Sequence, residues 1–169
     1  MPHLDAAYNL ARWLTRNDHD AQDLVQMSFI RAVRFFDGYK GGNARAWLLT
    51  ILRNTFYNEL RDHHHDEIHF DETLHSDQEA LNEAAQFDMG SNPENILASR
   101  DTCRGVNQAL QKLPASFREV IILKEMEEFS YSEIAEITGI PIGTVMSRLA
   151  RGRKLLLAYL KGIDSNGLH

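Results

Sequence analysis

The stretch Phe129–Lys154, FSYSEIAEITGIPIGTVMSRLARGRK, decides how the chain is read. Ser130 or Ser132 can cap a first short helix with Ile134, Ala135 and Ile137 on its apolar side, and Gly139 supplies a stop just past its end. Pro141 suits the first turn of a new helix, where its missing N–H would have no intrahelical partner anyway. Helical spacing then continues from Thr144 to Leu157. The punctuation predicts two helices joined by a tight turn, a helix-turn-helix.

On a wheel of about 100° per residue, Val145, Leu149, Gly152 and Leu156 fall on one side of the second helix, facing the first. Thr144, Ser147, Arg148, Arg151 and Lys154 fall on roughly the opposite side, with Arg153 turned away toward phosphate or solvent. Between Pro141 and Ile163 there are five cations and no acid, in a protein of net charge −6. A solvated charged face is the plain alternative. The turn chemistry and the one-sided positive charge together favour a helix that enters a DNA major groove.

Charge along the chain is more informative than its sum. Residues 1–61 hold eight Lys/Arg against six Asp/Glu, and residues 100–169 hold ten against eight. From Asp62 to Ser99 there are ten Asp/Glu and no Lys or Arg. That middle segment has few large apolar residues and no sustained period, which reads as a flexible acidic linker between two helical domains. The acidic balance therefore belongs to the linker and does not argue against nucleic acid. The predicted fold is all-α: a helical domain over 1–62, the linker over 63–99, a second helical domain over 100–163 and a tail over 164–169.

With 169 residues, 43% of them hydrophobic and 25% charged, the composition is that of an ordinary globular chain. Apolar runs such as Val120–Leu123 are far shorter than the roughly 20 residues a membrane span needs, and the N-terminus carries no signal pattern. No membrane insertion is expected. A single cysteine, Cys103, cannot form an internal disulfide, which fits a reducing cytoplasm.

The first domain reads as three helices. Residues 3–16 carry Leu4, Ala7, Tyr8, Ala11 and Leu14 on one side, and a second helix begins at Asp20 with Leu24, Val25, Ser28, Phe29, Ala32, Val33 and Phe36 at helical spacing. Asp37–Asn43 is a glycine-rich loop, and a third helix from Ala44 to about Asp62 buries Trp47, Leu48, Ile51 and Leu52. Its other side presents Arg45, Arg53, Asn54, Tyr57, Asn58 and Arg61, after a loop that offers Tyr39 and Lys40. Cations that track phosphates, with aromatics and amides that receive unstacked bases, suit single-stranded nucleic acid.

Read together, DAQDLVQMSFIRAVRFFDGYKGGNARAWLLTILRNTFYNELR and LQKLPASFREVIILKEMEEFSYSEIAEITGIPIGTVMSRLARGRKLL resemble regions 2 and 4 of extracytoplasmic-function sigma factors, small members of the sigma-70 superfamily. The resemblance spans residues 8–62 and 104–160. It implies a subunit that binds core RNA polymerase and directs promoter-specific initiation, not an enzyme, and needs no cofactor. In the family, region 4 reads the −35 element as duplex, which makes Thr144, Ser147, Arg148, Arg151 and Lys154 the candidates here. Region 2 melts the −10 element and captures a flipped base, which points to Tyr39, Lys40 and Asn54, with Trp47, Arg53, Asn58 and Arg61 beside them.

The resemblance also implies partners. Region 2 docks on the clamp helices of the polymerase β′ subunit through the helix occupied here by DAQDLVQMSFIRAV, which nominates Asp20, Asp23, Gln26 and Ile30, and region 4 meets the β flap. Family members often carry an acid directly after the glutamine matching Gln26, where this chain has Met27, so an apolar contact replaces a polar one. The N-terminus starts where relatives are well into their first helix, so that helix is trimmed or the sequence lacks its start. An anti-sigma factor is the implied regulator, and the promoter sequence is not legible.

Two other function classes compete. A stand-alone helix-turn-helix regulator would bind duplex DNA without polymerase. A metal-dependent enzyme would use His63, His64 and His65 with Asp66, His69 and His75. The histidines lack zinc-type spacing with cysteines, and no catalytic arrangement can be placed around them. No metal site is assigned.

Overall fold

The computed structural model describes residues 3–64 and 100–166. All elements among these are helical: α1 Leu4–Thr15, α2 Asp18–Arg34, a 3₁₀ turn Phe36–Gly38, α3 Ala44–His64, α4 Arg100–Lys112, α5 Ala115–Ile121, a π-helical turn Ile122–Met126, α6 Tyr131–Thr138 and α7 Ile142–Asn166. The acidic segment expected as a linker, and all but the first two members of the histidine cluster, lie outside the described residues. No helix among the described residues is long and apolar enough to cross a membrane.

By contact the chain forms two units. The first comprises α1–α3 together with Ile122–Met146, and the second holds α4, α5 and α7 from Ser147 onward. In the first, α1 ends at Arg16 in the left-handed conformation, and Asn17 caps α2 by accepting from the backbone N–H groups of His19 and Asp20 at 2.8 and 3.2 Å. The second helix therefore begins at Asp18, two residues before the expected Asp20, because the asparagine satisfies its first free donors. Asp18 then pairs with Arg12 and accepts from Tyr8 Oη at 3.3 Å, fixing the α1–α2 corner. Leu10, Leu14, Leu24, Val25, Leu48, Leu49 and Leu52 fill the core of the three helices.

The sequence stripe on α2 is only partly buried. Leu24, Val25, Ser28 and Ala32 point inward, whereas Val33 is 77% and Phe36 62% exposed, against the expectation that both join the core. The helix ends at Arg34 and the backbone turns into the 3₁₀ segment, so helical register no longer governs where Phe36 points.

After α5 the chain makes one π turn, with Glu127 N–H donating to the Ile122 carbonyl at 3.1 Å and Phe129 N–H to that of Leu123. This wider turn, followed by Glu128 at φ 58°, seats Glu127 and Phe129 inward, at 8% and 0% exposure. Glu127 accepts from Asn9 Nδ2 at 2.8 Å and lies 3.5 Å from Arg45 Nη1, while Arg45 Nη2 donates to the Glu127 carbonyl at 2.8 Å. The Arg45 guanidinium also sits 4.3 Å above the Phe129 ring. Arg45 thus leaves the polar face expected for it, because it shares its helical stripe with buried Leu49 and Leu52. Helix α6 packs on α3.

In the second unit the buried Arg118 donates from Nη1 to the carbonyls of Gln111 and Leu113 at 3.2 and 2.8 Å, satisfying acceptors at the end of α4 that no helical N–H reaches. Gly152 was expected to face the first helix of the helix-turn-helix; its neighbours are instead Ile121 and Phe117 of α5. A Cβ placed there would lie 2.9 Å from Ile121 Cδ1 and 3.4 Å from Phe117 Cβ. Alanine favours a helix over glycine by about 1 kcal/mol, but overpacking a core costs about 1–3 kcal/mol. Gly152→Ala is expected to lower stability by about 1 kcal/mol in urea denaturation. Gly143→Ala, which meets nothing within 4 Å in the same helix, should instead hold or raise the midpoint.

Candidate nucleic-acid interface

The helix-turn-helix forms from its local signals. Ser130 is the cap, its hydroxyl accepting from Glu133 N–H at 3.1 Å, so the choice left between Ser130 and Ser132 falls to the former. Gly139 closes α6 at φ 70°, a conformation that costs glycine little, and its N–H donates to the Ala135 carbonyl at 2.9 Å. Pro141 stands one residue before α7, its carbonyl accepting from Thr144 and Val145. Val145 and Leu149 are buried as expected, and Leu156 is half-buried.

The five duplex-reading candidates on α7 divide in two. Ser147, Arg151 and Lys154 are exposed, whereas Thr144 and Arg148 are half-buried, with Arg148 Nε enclosed by protein. The buried arc of α7 widens along its length, from Val145 and Leu149 to Leu155 and Ala158, and it takes in the edge of the face on which Arg148 lies. Ala150 and Arg153 are exposed as well, so the accessible face is centred further round than the wheel placed it.

The single-strand candidates gather around the start of α3. Tyr39 Oη donates to the Gly42 carbonyl at 2.7 Å, and Gly41 and Gly42, at φ 86° and 98°, shape the loop that presents it. The Tyr39 ring lies 5.0 Å from that of Trp47, and Phe36 joins at 6.1 Å from Tyr39 and 6.4 Å from Trp47. Trp47, expected in the core, is half-buried and forms the floor of this exposed aromatic group, with Lys40 on the loop beside it. Phe36 is a member that sequence reading missed, since its helical spacing pointed to the core.

Trp47, Asn54, Asn58 and Arg61 continue as one strip on α3, at successive steps of seven, four and three residues. Arg61 Nη2 donates to Asn58 Oδ1 at 2.6 Å, and the Arg53 guanidinium lies 4.5 Å over the Tyr57 ring, to one side of the strip. At about 1.5 Å of rise per residue the strip runs some 20 Å. Aromatic faces at one end with amides and cations along the remainder provide stacking and edge hydrogen bonds in sequence.

A third surface lies on α2. Asp20, Asp23, Gln26 and Ile30 are all exposed, and Met27 and Val33 beside them are exposed too. His19 Nδ1 lies 3.3 Å from Asp23 Oδ2 at the acidic end. Met27, Ile30 and Val33 form an apolar line flanked by carboxylates, a pattern suited to a protein partner with cations around an apolar centre. Val33 was not singled out by sequence, because its spacing matched the core stripe. Ile30→Asp and Val33→Asp are each expected to change the unfolding free energy in urea denaturation by less than about 0.5 kcal/mol. Ala32→Asp, which buries a carboxylate, should cost several times as much in the same measurement.

Comparison with known proteins gives a consistent result. Residues 1–65 match the model of sigma-70 region 2, and residues 104–156 that of sigma-70 region 4. The chain is 36% identical over 158 residues to the ECF RNA polymerase sigma factor SigE of Mycolicibacterium smegmatis, covering 94% of this chain and 58% of that protein. It is 32% identical to SigW of Bacillus subtilis, with 94% and 85% covered, and 36% identical to the sigma-E factor of Escherichia coli K12, with 81% and 72% covered. A solved structure of the sigma factor RpoE in complex with the anti-sigma factor NepR, from Bartonella quintana, matches with a TM-score of 0.68 at 33% identity, covering 94% of this chain and 92% of that one.

Proposed function

Because the chain belongs to the extracytoplasmic-function sigma factors of the sigma-70 family, we propose that it binds core RNA polymerase in the cytoplasm and directs initiation at a particular class of promoter. As a member of that family it is an initiation factor and not an enzyme. The observation that carries the reading is the coexistence of two nucleic-acid surfaces with different demands: a cationic helix for duplex, and an aromatic–amide strip for unstacked bases. A stand-alone duplex-binding regulator has no use for the second.

In this reading residues 1–62 act as region 2 and residues 100–163 as region 4. Ser147, Arg151 and Lys154 contact the −35 duplex, with Thr144 and Arg148 at the edge of the contact. An arginine pairing with a guanine edge contributes about 1–3 kcal/mol of discrimination. At the −10 element the Tyr39–Trp47 group stacks a base turned out of the duplex, while Lys40 and Arg61 meet phosphate and Asn54 and Asn58 meet base edges. Unpairing costs a few kcal/mol, which stacking and edge hydrogen bonds offset, so melting needs neither ATP nor a catalytic group.

The α2 surface, with Asp20, Asp23, Gln26 and Ile30 extended by Met27 and Val33, docks on the β′ clamp helices, and the helix-turn-helix unit meets the β flap. The solved relative in complex with NepR supports control by an anti-sigma factor.

Run-off transcription from genomic promoter fragments, with purified core polymerase and with or without the chain, tests the proposal. Start-specific transcripts that require the chain are expected, falling about 10- to 100-fold with Arg151→Ala at promoters that depend on the −35 element. Ile30→Asp with Val33→Asp should abolish them through loss of polymerase binding. Absence of transcripts, with a discrete duplex site still protected by the chain alone, would overturn the assignment.

A further inference from the structure

Met146 is 48% exposed on α7, the helix that carries the candidate duplex-reading cations. At about 100° per residue, the exposed positions from Ile142 to Lys154 cover one half of the helix, with Gly143 and Ala150 in the middle. Met146 and Ser147 flank that middle on either side, whereas Ile142, Arg153 and Arg151 stand toward the edges. An apolar side chain thus sits inside a face that has no acid from Pro141 to Ile163. Resting on the reading above, in which α7 enters the −35 duplex, we infer that Met146 is a specificity residue: it packs on the C5-methyl of a thymine and so fixes an A·T pair in that element.

Its place on the helix brings it to the bases. A recognition helix meets base edges through its N-terminal residues, and Met146 is the fifth residue of α7. Gly143 and Ala150 keep the middle of the face low, so a groove about 12 Å wide admits a helix about 10–12 Å across deeply enough for Met146 to reach the floor.

Chemistry then selects the partner. The thioether offers no donor and only a weak acceptor, and among the groups that base pairs show in the major groove the thymine methyl is the apolar one. Set against guanine or cytosine, Met146 would cover the O6, N7 or N4 groups without pairing them, which costs free energy. Set against thymine, it removes apolar surface from water on both sides. The unbranched methionine chain adapts to the position of the methyl without a rigid fit. Ala150 stands one turn further on the same side, roughly 6 Å along the helix, which is less than two base-pair steps of about 3.4 Å, and it continues the apolar surface toward the neighbouring pair.

The test uses the chain with core polymerase on the most active promoter fragment from the run-off assay, with each thymine of the −35 element replaced in turn by deoxyuridine. That replacement removes the C5-methyl and leaves every pairing and groove-edge polar group in place. At one position the wild-type chain is expected to lose transcription about three- to fivefold, the factor for one buried methyl. Met146→Ala should lose a similar factor on the thymine fragment and respond to uracil at that position by less than about 1.5-fold, while Arg151→Ala, weaker throughout, keeps the full ratio of thymine to uracil. Urea denaturation of Met146→Ala should match the wild type, because the side chain is exposed. A −35 element without thymine, indifference to uracil at every position, or equal uracil sensitivity in wild type and Met146→Ala would overturn the inference. Absence of transcripts from the wild-type chain would overturn the sigma-factor reading instead, and the same uracil series, applied to the duplex site that the chain protects on its own, would then decide the role of Met146.

Discussion

A carboxylate removed from water must be partnered, and Glu127 shows how this structure meets that demand. Desolvating an isolated carboxylate costs several kcal/mol even after relaxation, so the π turn that carries it inward is stable only with Asn9 and Arg45 in place. Arg45 is well suited to the task. Its planar fork serves the carboxylate and the carbonyl together while its face stacks on Phe129, which the single ammonium of a lysine could not do. The course of the chain into α6, and hence where the helix-turn-helix begins, follows from this one cluster.

The two proposed reading surfaces divide the physics of promoter recognition between them. Duplex reading needs a rigid helix with long cations on one side, and α7 supplies it with Ser147, Arg151 and Lys154 exposed above a core of Val145 and Leu149. Single-strand reading needs aromatic faces that are held but not covered. The Tyr39 hydroxyl, tied to the Gly42 carbonyl, holds the loop against Trp47 while Phe36 and Lys40 remain open to solvent. In both places the backbone is fixed before nucleic acid arrives, so binding energy goes to the bases and is not spent ordering the protein.

What was legible in the sequence is what neighbouring residues decide among themselves. Ser130, Gly139 and Pro141 punctuate the helix-turn-helix because caps and turns are settled by side chains a few positions away, and the helical classes of α1–α3 follow from their apolar spacing. Asn17 is equally local, and its cap sets the start of α2 at Asp18, two residues before the Asp20 expected from spacing. The remainder depended on contacts across the chain. Spacing alone puts Val33 and Phe36 in the core, but no helix among the described residues covers that side of α2, so both stand open. Gly152 lies close to α5 because Phe117 and Ile121 need room, a fact that resides in another helix. Arg45 reads as one more cation of the polar face of α3, and only a glutamate 82 positions away shows otherwise.

That last pairing shows what a charged contact adds to an apolar one. Breaking a buried ion pair costs about 3–5 kcal/mol, and an exposed one less than about 1. Arg45 and Glu127 fall between these limits, since the arginine reaches solvent and the glutamate hardly does. The burial of Phe129 is non-directional and would tolerate more than one course of the chain. The fork of Arg45, set on the carboxylate and the carbonyl of Glu127 together, fixes angle as well as distance, and so selects the one course from the π turn into α6.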